Sequence, residues 1–314
     1  MTAYIIRRLL AVPVVLLMLS LGVFFMIRAI PGDVVDLKLE RTYTPERAAA
    51  LRAHLGLDQP AYKQYPKWIG GVVTGDFGDS LVTGQPVIDE IWRRLPITLE
   101  LGLMTLFMSL VVGIPAGIIA AVQQNRISDQ ALRLVSIIGL AIPTFWLATL
   151  VIVIPAVTVG WSPRFGYIEF VDDPIANLKQ FALPGAVGAM GFAAILLRLT
   201  RVQMLEVMRQ DYVRTARAKG LKEFTVLGRH ALKNAMIPVV TVVGLSLAGL
   251  VSGSVFLEQI FSLPGLGRYA VQSVQSSDYT AIQAFVLLIG IVFVLVNLIV
   301  DLLYAVLDPR IRYS

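Results

Sequence analysis

The chain has 314 residues, 56% of them hydrophobic and only 15% charged, with a mean hydropathy of +0.74. Soluble domains carry about 25% charged and about 45–50% apolar residues, so composition excludes a soluble domain and implies a polytopic membrane protein whose net charge of +6 belongs to its loops rather than to a nucleic-acid surface. There is no cysteine, hence no disulfide or thiolate metal site, and the two histidines, His54 and His230, fall outside the apolar runs, which excludes a histidine-based metal centre within the membrane.

Residues 9–27 follow Arg7 and Arg8 and carry no charge, a length that matches the ~20 residues needed to cross a bilayer. The run is too long for a signal-peptide core and no cleavage pattern follows it, so it reads as an uncleaved first span with its amino end in the cytoplasm. The next 65 or so residues, 31–95, are too polar to cross. Within them Thr44 reads as an N-cap, Pro45 as the first turn and Gly56 as the stop of a short helix. The sequence GDFGDS at 75–80 reads as a turn; its two acids do not have the spacing of a calcium loop.

Five further apolar runs, at 97–122, 134–157, 181–197, 235–257 and 281–300, predict an all-α membrane protein with six transmembrane helices. Orientation follows from Lys and Arg in short loops. The segments assigned to the inside carry fifteen of them and the two short outside loops carry three: Arg164, Lys179 and Arg268. Both termini are therefore expected in the cytoplasm. The expected divisions are 1–30, tail and first span; 31–95, an extracytoplasmic segment; 96–307, a five-helix core; and 308–314, a cytoplasmic tail.

Pro13, Pro115, Pro143, Pro155, Pro184 and Pro238 lie in or at the ends of these spans, where packing and kinking account for most of them. The fifth span pairs Gly249 with Gly253 in a small-xxx-small pattern suited to close helix contact. Its serines, Ser246, Ser252 and Ser254, are equally candidates to line a polar substrate path. Arg28, Glu100, Glu258 and Asp301 sit near span ends, not at mid-membrane where a coupling-ion site of a secondary transporter is expected. No histidine or lysine lies within a span, which removes Ser-His, Ser-Lys and HExxH chemistry. There is no P-loop, so transport driven by ATP requires a separate ATPase polypeptide.

The longest polar interruption, DYVRTARAKGLKEFTVLGRHALKN at 211–234, predicts two short helices, 206–219 and 221–233, meeting at Gly220. On the second, Leu221, Phe224, Leu227, Ala231 and Leu232 share one face and Lys222, Arg229 and Lys233 another. Such a stretch is either a solvated basic loop that sets orientation or a docking element for a soluble partner.

Residues 211–234 resemble the coupling loop of ABC-importer permeases. Aligned on Gly220, the family's Glu-Ala-Ala positions are Arg214, Thr215 and Ala216, and its Ile-x-Leu-Pro positions are His230, Ala231, Leu232 and Lys233; Ala216, Gly220 and Leu232 keep the general pattern. TARAKG followed by RHALKNA is typical of the dipeptide, oligopeptide and nickel branch, and HLGLDQP, GDFGDS, VFLEQIFSLPGLG and LDPRIR extend the likeness along the chain. The resemblance implies a type I ABC importer permease fold in the bacterial inner membrane and no enzymatic activity of its own. The implied partners are a second homologous permease, an extracytoplasmic substrate-binding protein and two ATP-binding subunits that hold the ATP and Mg. It implies that the loop, 206–234, with Arg214 at the family's Glu position, couples to those ATPases: Thr215, Ala216 and Gly220 at a close approach, Phe224, Leu227 and Leu232 on its inner face, and Arg217, Lys219, Lys222 and Arg229 toward acids of the partner. Branch substrates include di- and oligopeptides, nickel, glutathione and glycosides. With neither cysteine nor intramembrane histidine to ligate nickel, peptide is the expected cargo.

Overall fold

A computed structural model describes residues 2–29, 44–54, 58–163, 166–247 and 255–307. Every regular element among them is helical: α1 (Thr2–Ala29), α2 (Pro45–His54), α3 (Ala61–Val73), α4 (Val87–Val122), α5 (Ile127–Ala141), α6 (Thr144–Val159), α7 (Pro174–Met208), α8 (Asp211–Ala218), α9 (Lys233–Leu247), α10 (Val255–Ile260), α11 (Leu266–Gln275) and α12 (Tyr279–Leu307). Four helices, α1, α4, α7 and α12, are long and apolar enough to cross a membrane, and the bent pair α5–α6 makes a fifth crossing if taken as one. The expected fifth span, 235–257, is helical over α9 and α10, with 248–254 outside the described residues. Gly249, Gly253, Ser252 and Ser254 therefore lie outside them too, as do Gly56 and the tail 308–314.

The expected span at 134–157 is not one rod. Its two halves, α5 and α6, meet at 97°. Pro143 is the cause: its ring disfavours helical backbone in the residue before it, and Ile142 is extended at φ −84°, ψ 120°. The expected span at 181–197 is the apolar centre of a longer rod. Helix α7 starts with Pro174 in its first turn and the Asp173 carboxylate accepting from the Ala176 amide, 3.0 Å, and it runs 35 residues. At 1.5 Å per residue that is about 52 Å, well beyond the ~30 Å hydrocarbon layer.

The chain divides into two compact units, Met1–Pro96 with Gly265–Ser314, and Ile97–Pro264. In the first, α1 packs on α12, where Gly290 leaves room for Leu19. Helix α3 lays Tyr65 and Trp68 against Phe24 of α1, with ring centroids 5.2 and 5.7 Å apart. The Ser20 hydroxyl bonds the Tyr65 hydroxyl at 2.8 Å, and Arg28 stacks over the Phe24 ring. The Thr44 side chain accepts from the Arg47 amide, the cap expected for α2. The GDFGDS turn places Gly75 and Gly78 at positive φ, and the Asp76 carboxylate accepts from the Gly78 amide, so this acid serves its own turn. Asp278 then fastens that loop: its carboxylate bonds the Ser80 hydroxyl and the Leu81 amide and caps the first turn of α12 at the Ala281 amide.

In the second unit α7 is the spine, with α5, α6 and α9 against it. A core of Ile97, Leu101, Phe181, Val187, Leu257, Phe261 and Leu263 fills one end. Helix α4 approaches α7 through Gly113 and Gly117, a small-xxx-small pair. A Cβ at Gly113 would lie 2.6 Å from the Ala193 carbonyl oxygen, and one at Gly117 2.6 Å from the Thr200 Cβ. A Cβ at Gly22 of α1 would meet nothing within 4 Å. Opposite signs are therefore expected from the same change. Gly22→Ala should be neutral or stabilise by up to about 1 kcal/mol through helix propensity; Gly113→Ala or Gly117→Ala should destabilise by about 1–3 kcal/mol through overpacking. Unfolding midpoints of the detergent-solubilised variants measure both.

Candidate functional site

Residues 206–234 do form an elbow at Gly220, although not from the two helices expected. The α7 helix ends at Met208, Arg209 and Gln210 close it with amide bonds to Glu206 and Val207, and Gln210 turns extended at ψ 149° before α8 begins. No glycine or proline marks that break, so the pattern reads through it. Helix α8 ends at Ala218 in a Schellman cap. The Gly220 amide bonds the Arg217 carbonyl at 2.9 Å, the Leu221 amide reaches back to Ala216 at 3.4 Å, and Gly220 sits at φ +75°, where a side chain is disfavoured. After Leu221 and Lys222, which are not helical, come one turn at Glu223–Thr225 and a π-helix, Val226–Leu232, that continues directly into α9. The second arm of the elbow is therefore the start of a long apolar helix, not a separate element ending at Lys233.

This geometry corrects the expected inner face. Phe224 is 89% exposed. The face was drawn with regular α-helical spacing from 221 onward, but 221–222 are non-helical and 226–232 wind in wider π turns, which rotates Phe224 outward relative to Leu227 and Leu232. The buried underside is built instead from Val213, Ala216 and Val226, with Val207 against them. Leu227 and Leu232 do pack inward, on a cluster of Ala121, Met204, Ala231 and Ala235. The Thr215 hydroxyl bonds the Asp211 carbonyl of its own helix at 2.9 Å. Arg214 lies near Asp211 at 3.4 Å, both side chains exposed, and Lys219 and Gly220 are exposed.

Arg217 does not simply await an acid from elsewhere: its guanidinium bonds Glu223 across the elbow at 2.7 and 3.2 Å. That hydrogen bond holds the Glu223 carboxyl below its usual range. A depressed carboxylate stabilises the fold above its unfolded pKa and ceases to as pH falls through the folded value. The pair is exposed, so its contribution is small and salt-screened.

Behind the elbow lies an ion pair that reading the sequence left unremarked. Asp129 of α5 has no exposed surface. Both its oxygens are engaged by Arg201 of α7, from Nε at 2.7 Å and from Nη2 at 2.9 Å, while the Asn125 amide donates to Oδ2 at 2.9 Å. In sequence these were two loop-flanking charges; only their distance in the fold pairs them. Of the substrate-path candidates, Ser246 bonds the Val242 carbonyl of its own helix at 2.8 Å, and Ser252 and Ser254 lie outside the described residues.

Comparison with known proteins fits an all-helical chain of long apolar helices with this elbow. The family described as binding-protein-dependent transport system inner membrane component matches residues 113–313, and its N-terminal companion family matches residues 1–102. The chain belongs to that family and is thus a multi-pass component of an inner-membrane transport system. It is 40% identical to a putative peptide transport system permease protein of Brucella abortus (strain 2308) over 314 residues, the whole of both chains. It is 42% identical to the oligopeptide transport system permease protein AppB of Bacillus subtilis (strain 168) over 317 residues, and 40% identical to the glutathione transport system permease protein GsiC of Escherichia coli (strain K12) over 314, again the whole of both chains.

Removing Asp129 leaves Arg201 without its carboxylate, whereas removing Arg201 leaves Asp129 the more exposed Arg133 at 3.5 Å. Asp129→Ala should cost about 3–5 kcal/mol, and Asp129→Leu combined with Arg201→Met should recover most of that loss. A double-mutant cycle on unfolding in detergent checks it; a single-variant cost below about 1 kcal/mol would show that the pair is not what fixes α5 to α7.

Proposed function

We propose that this chain is the permease subunit of an ATP-driven importer of short peptides, passing its cargo by alternating access. It crosses the membrane six times with both ends in the cytoplasm, and works beside a second, homologous permease. Two ATP-binding subunits hold the ATP and Mg, and an extracytoplasmic binding protein delivers the substrate. Membership of the family and full-length identity of about 40% to relatives named as peptide permeases support the cargo and the class.

The observation that carries the coupling role is Phe224. A fully projecting aromatic on a rigid base is unusual for a loop that only sets orientation, and it has the form of an anchor for a partner's pocket. Val213, Ala216 and Val226 hold that base, and the open space around Gly220 lets a partner's backbone come close. Pushing on Phe224 moves the π-helix and α9, so closure of the ATP-binding subunits is delivered to a membrane helix. Arg214, Lys219 and Lys222, exposed beside it, offer charge to acids of the partner, while Arg217 is shared with Glu223.

Phe224→Ala should leave unfolding of the chain unchanged and weaken retention of the ATP-binding subunits by about 2 kcal/mol or more, roughly thirtyfold. Gly220→Glu meets no atom of its own chain, so its backbone strain of about 1–2 kcal/mol is tolerated while the partner's approach is blocked. Pull-down of the assembled transporter and binding-protein-stimulated ATP hydrolysis measure both. Wild-type retention and hydrolysis in the two variants would show that the elbow is not the docking surface.

A further inference from the structure

At the far end of α7 from the elbow, the loop between α6 and α7 borders a half-open cavity of about 590 Å³. That size falls within the ~300–1,000 Å³ of small-molecule sites. Trp161, Ile168, Leu183 and Phe261 supply apolar wall; Asp173 and Lys179 supply one charge of each sign. The loop wall is held from α7. The Ile168 amide donates to the Gln180 side chain at 3.2 Å, the Asn177 side chain donates to the Ile168 carbonyl at 2.9 Å, and the Gln180 amide group bonds the Gly166 carbonyl. Asn177 is fully buried behind this wall, so the cavity is built into the fold and does not depend on a ligand to shape it.

The two charges fit one class of occupant. Asp173 spends Oδ1 on the Ala176 amide as the helix cap, which fixes the carboxylate's position. Lys179 stands six positions on, its backbone about 9 Å further along the helix axis, and both residues line the cavity. An extended peptide of two or three residues covers about 7–10 Å at ~3.5 Å per residue, and it carries an ammonium at one end and a carboxylate at the other. Apolar walls between opposite charges match its side chains.

We propose that this cavity is a permease-level binding site for short zwitterionic peptides, with Asp173 taking the terminal ammonium and Lys179 the terminal carboxylate. The inference rests on the peptide-importer reading and deepens it: cargo released by a binding protein is checked again by its two free termini before passage. Peptides with blocked ends would be held less well, because they lack the terminal charges that Asp173 and Lys179 attract, and longer ones because their two charges are spaced too far apart.

The test uses the assembled transporter in lipid nanodiscs without the binding protein. The chain has no cysteine, so Ser162→Cys on the cavity wall introduces a thiol that is unique in this subunit, and its maleimide labelling is followed by mass spectrometry. Trialanine at millimolar concentration should slow labelling at least threefold. Acetyl-trialanine amide should not, and adding Lys179→Met should abolish the protection, each variant being compared with its own labelling rate in the absence of peptide. The proposal is overturned by labelling that trialanine leaves unchanged, by equal protection from the blocked peptide, or by a thiol that is unreactive in the assembly before peptide is added, which would make the cavity a subunit contact. ATP-driven uptake of radiolabelled trialanine, with binding protein present, separates the two levels. Uptake without protection removes this site and leaves the importer reading standing; absence of uptake removes both.

Discussion

A carboxylate with no access to water must be matched by a cation held in register, and the Asp129–Arg201 pair imposes that condition on two helices at once. The bidentate contact fixes both the rotation and the height of α5 against α7. Further along the same interface a Cβ at Gly139 would meet Ala194 and Met190 at 3.4–3.5 Å, and on another side of α7 the glycines of α4 allow contact with its backbone. The spine can therefore slide or turn relative to α4 and α5 only by losing several contacts together. Close packing of this kind is either kept or broken, and does not deform by degrees.

The elbow is held on different terms. Its ion pairs, Arg214–Asp211 and Arg217–Glu223, are exposed, and such pairs contribute little in water and less in salt. What keeps its shape is the Schellman cap and three small buried side chains, Val213, Ala216 and Val226. A surface of cheaply broken charges over a small firm base can adapt its rim to a partner while keeping its angle. A rigid spine with an adaptable outer end is the mechanical arrangement that a lever requires.

How much of this was legible follows from the kind of signal each feature leaves. Apolar runs located the centres of α1, α4, α7 and α12, because burial in lipid demands unbroken hydropathy. They did not locate the ends, because α7 is held past the apolar run by the Asp173 cap and by contacts with α5, α9 and the elbow. Pro143 was visible in the sequence, but whether it kinks a helix or breaks it depends on what neighbours can satisfy the freed backbone. Gly220 was legible since glycine alone adopts φ +75° without strain. Phe224 was misplaced because a helical wheel assumes one winding, and π turns follow from tertiary packing rather than from residue type. Asp129 and Arg201, 72 positions apart, left no local signal at all.

The π-helix also says where a push on Phe224 would be absorbed. Val226, at the start of the π-helix, belongs to the buried triad, and Ala231, near its end, packs with Ala235 of α9 against Met204 and Ala121. Between the elbow and α9, Val226–Leu232 is wound as a π-helix, a geometry that is rare and recurs at functional sites. Both ends of the π-helix are thus held by packing, while Gly228 and Arg229 between them are exposed. On the proposed coupling role, a push at the elbow that tightened π turns toward α turns would reach α9 as rotation about its own axis as well as displacement, since it changes how many residues complete a circle. A helix so rotated changes which of its side chains face its neighbours, which is how a rigid push at one end could alter the contacts of an apolar helix at the other.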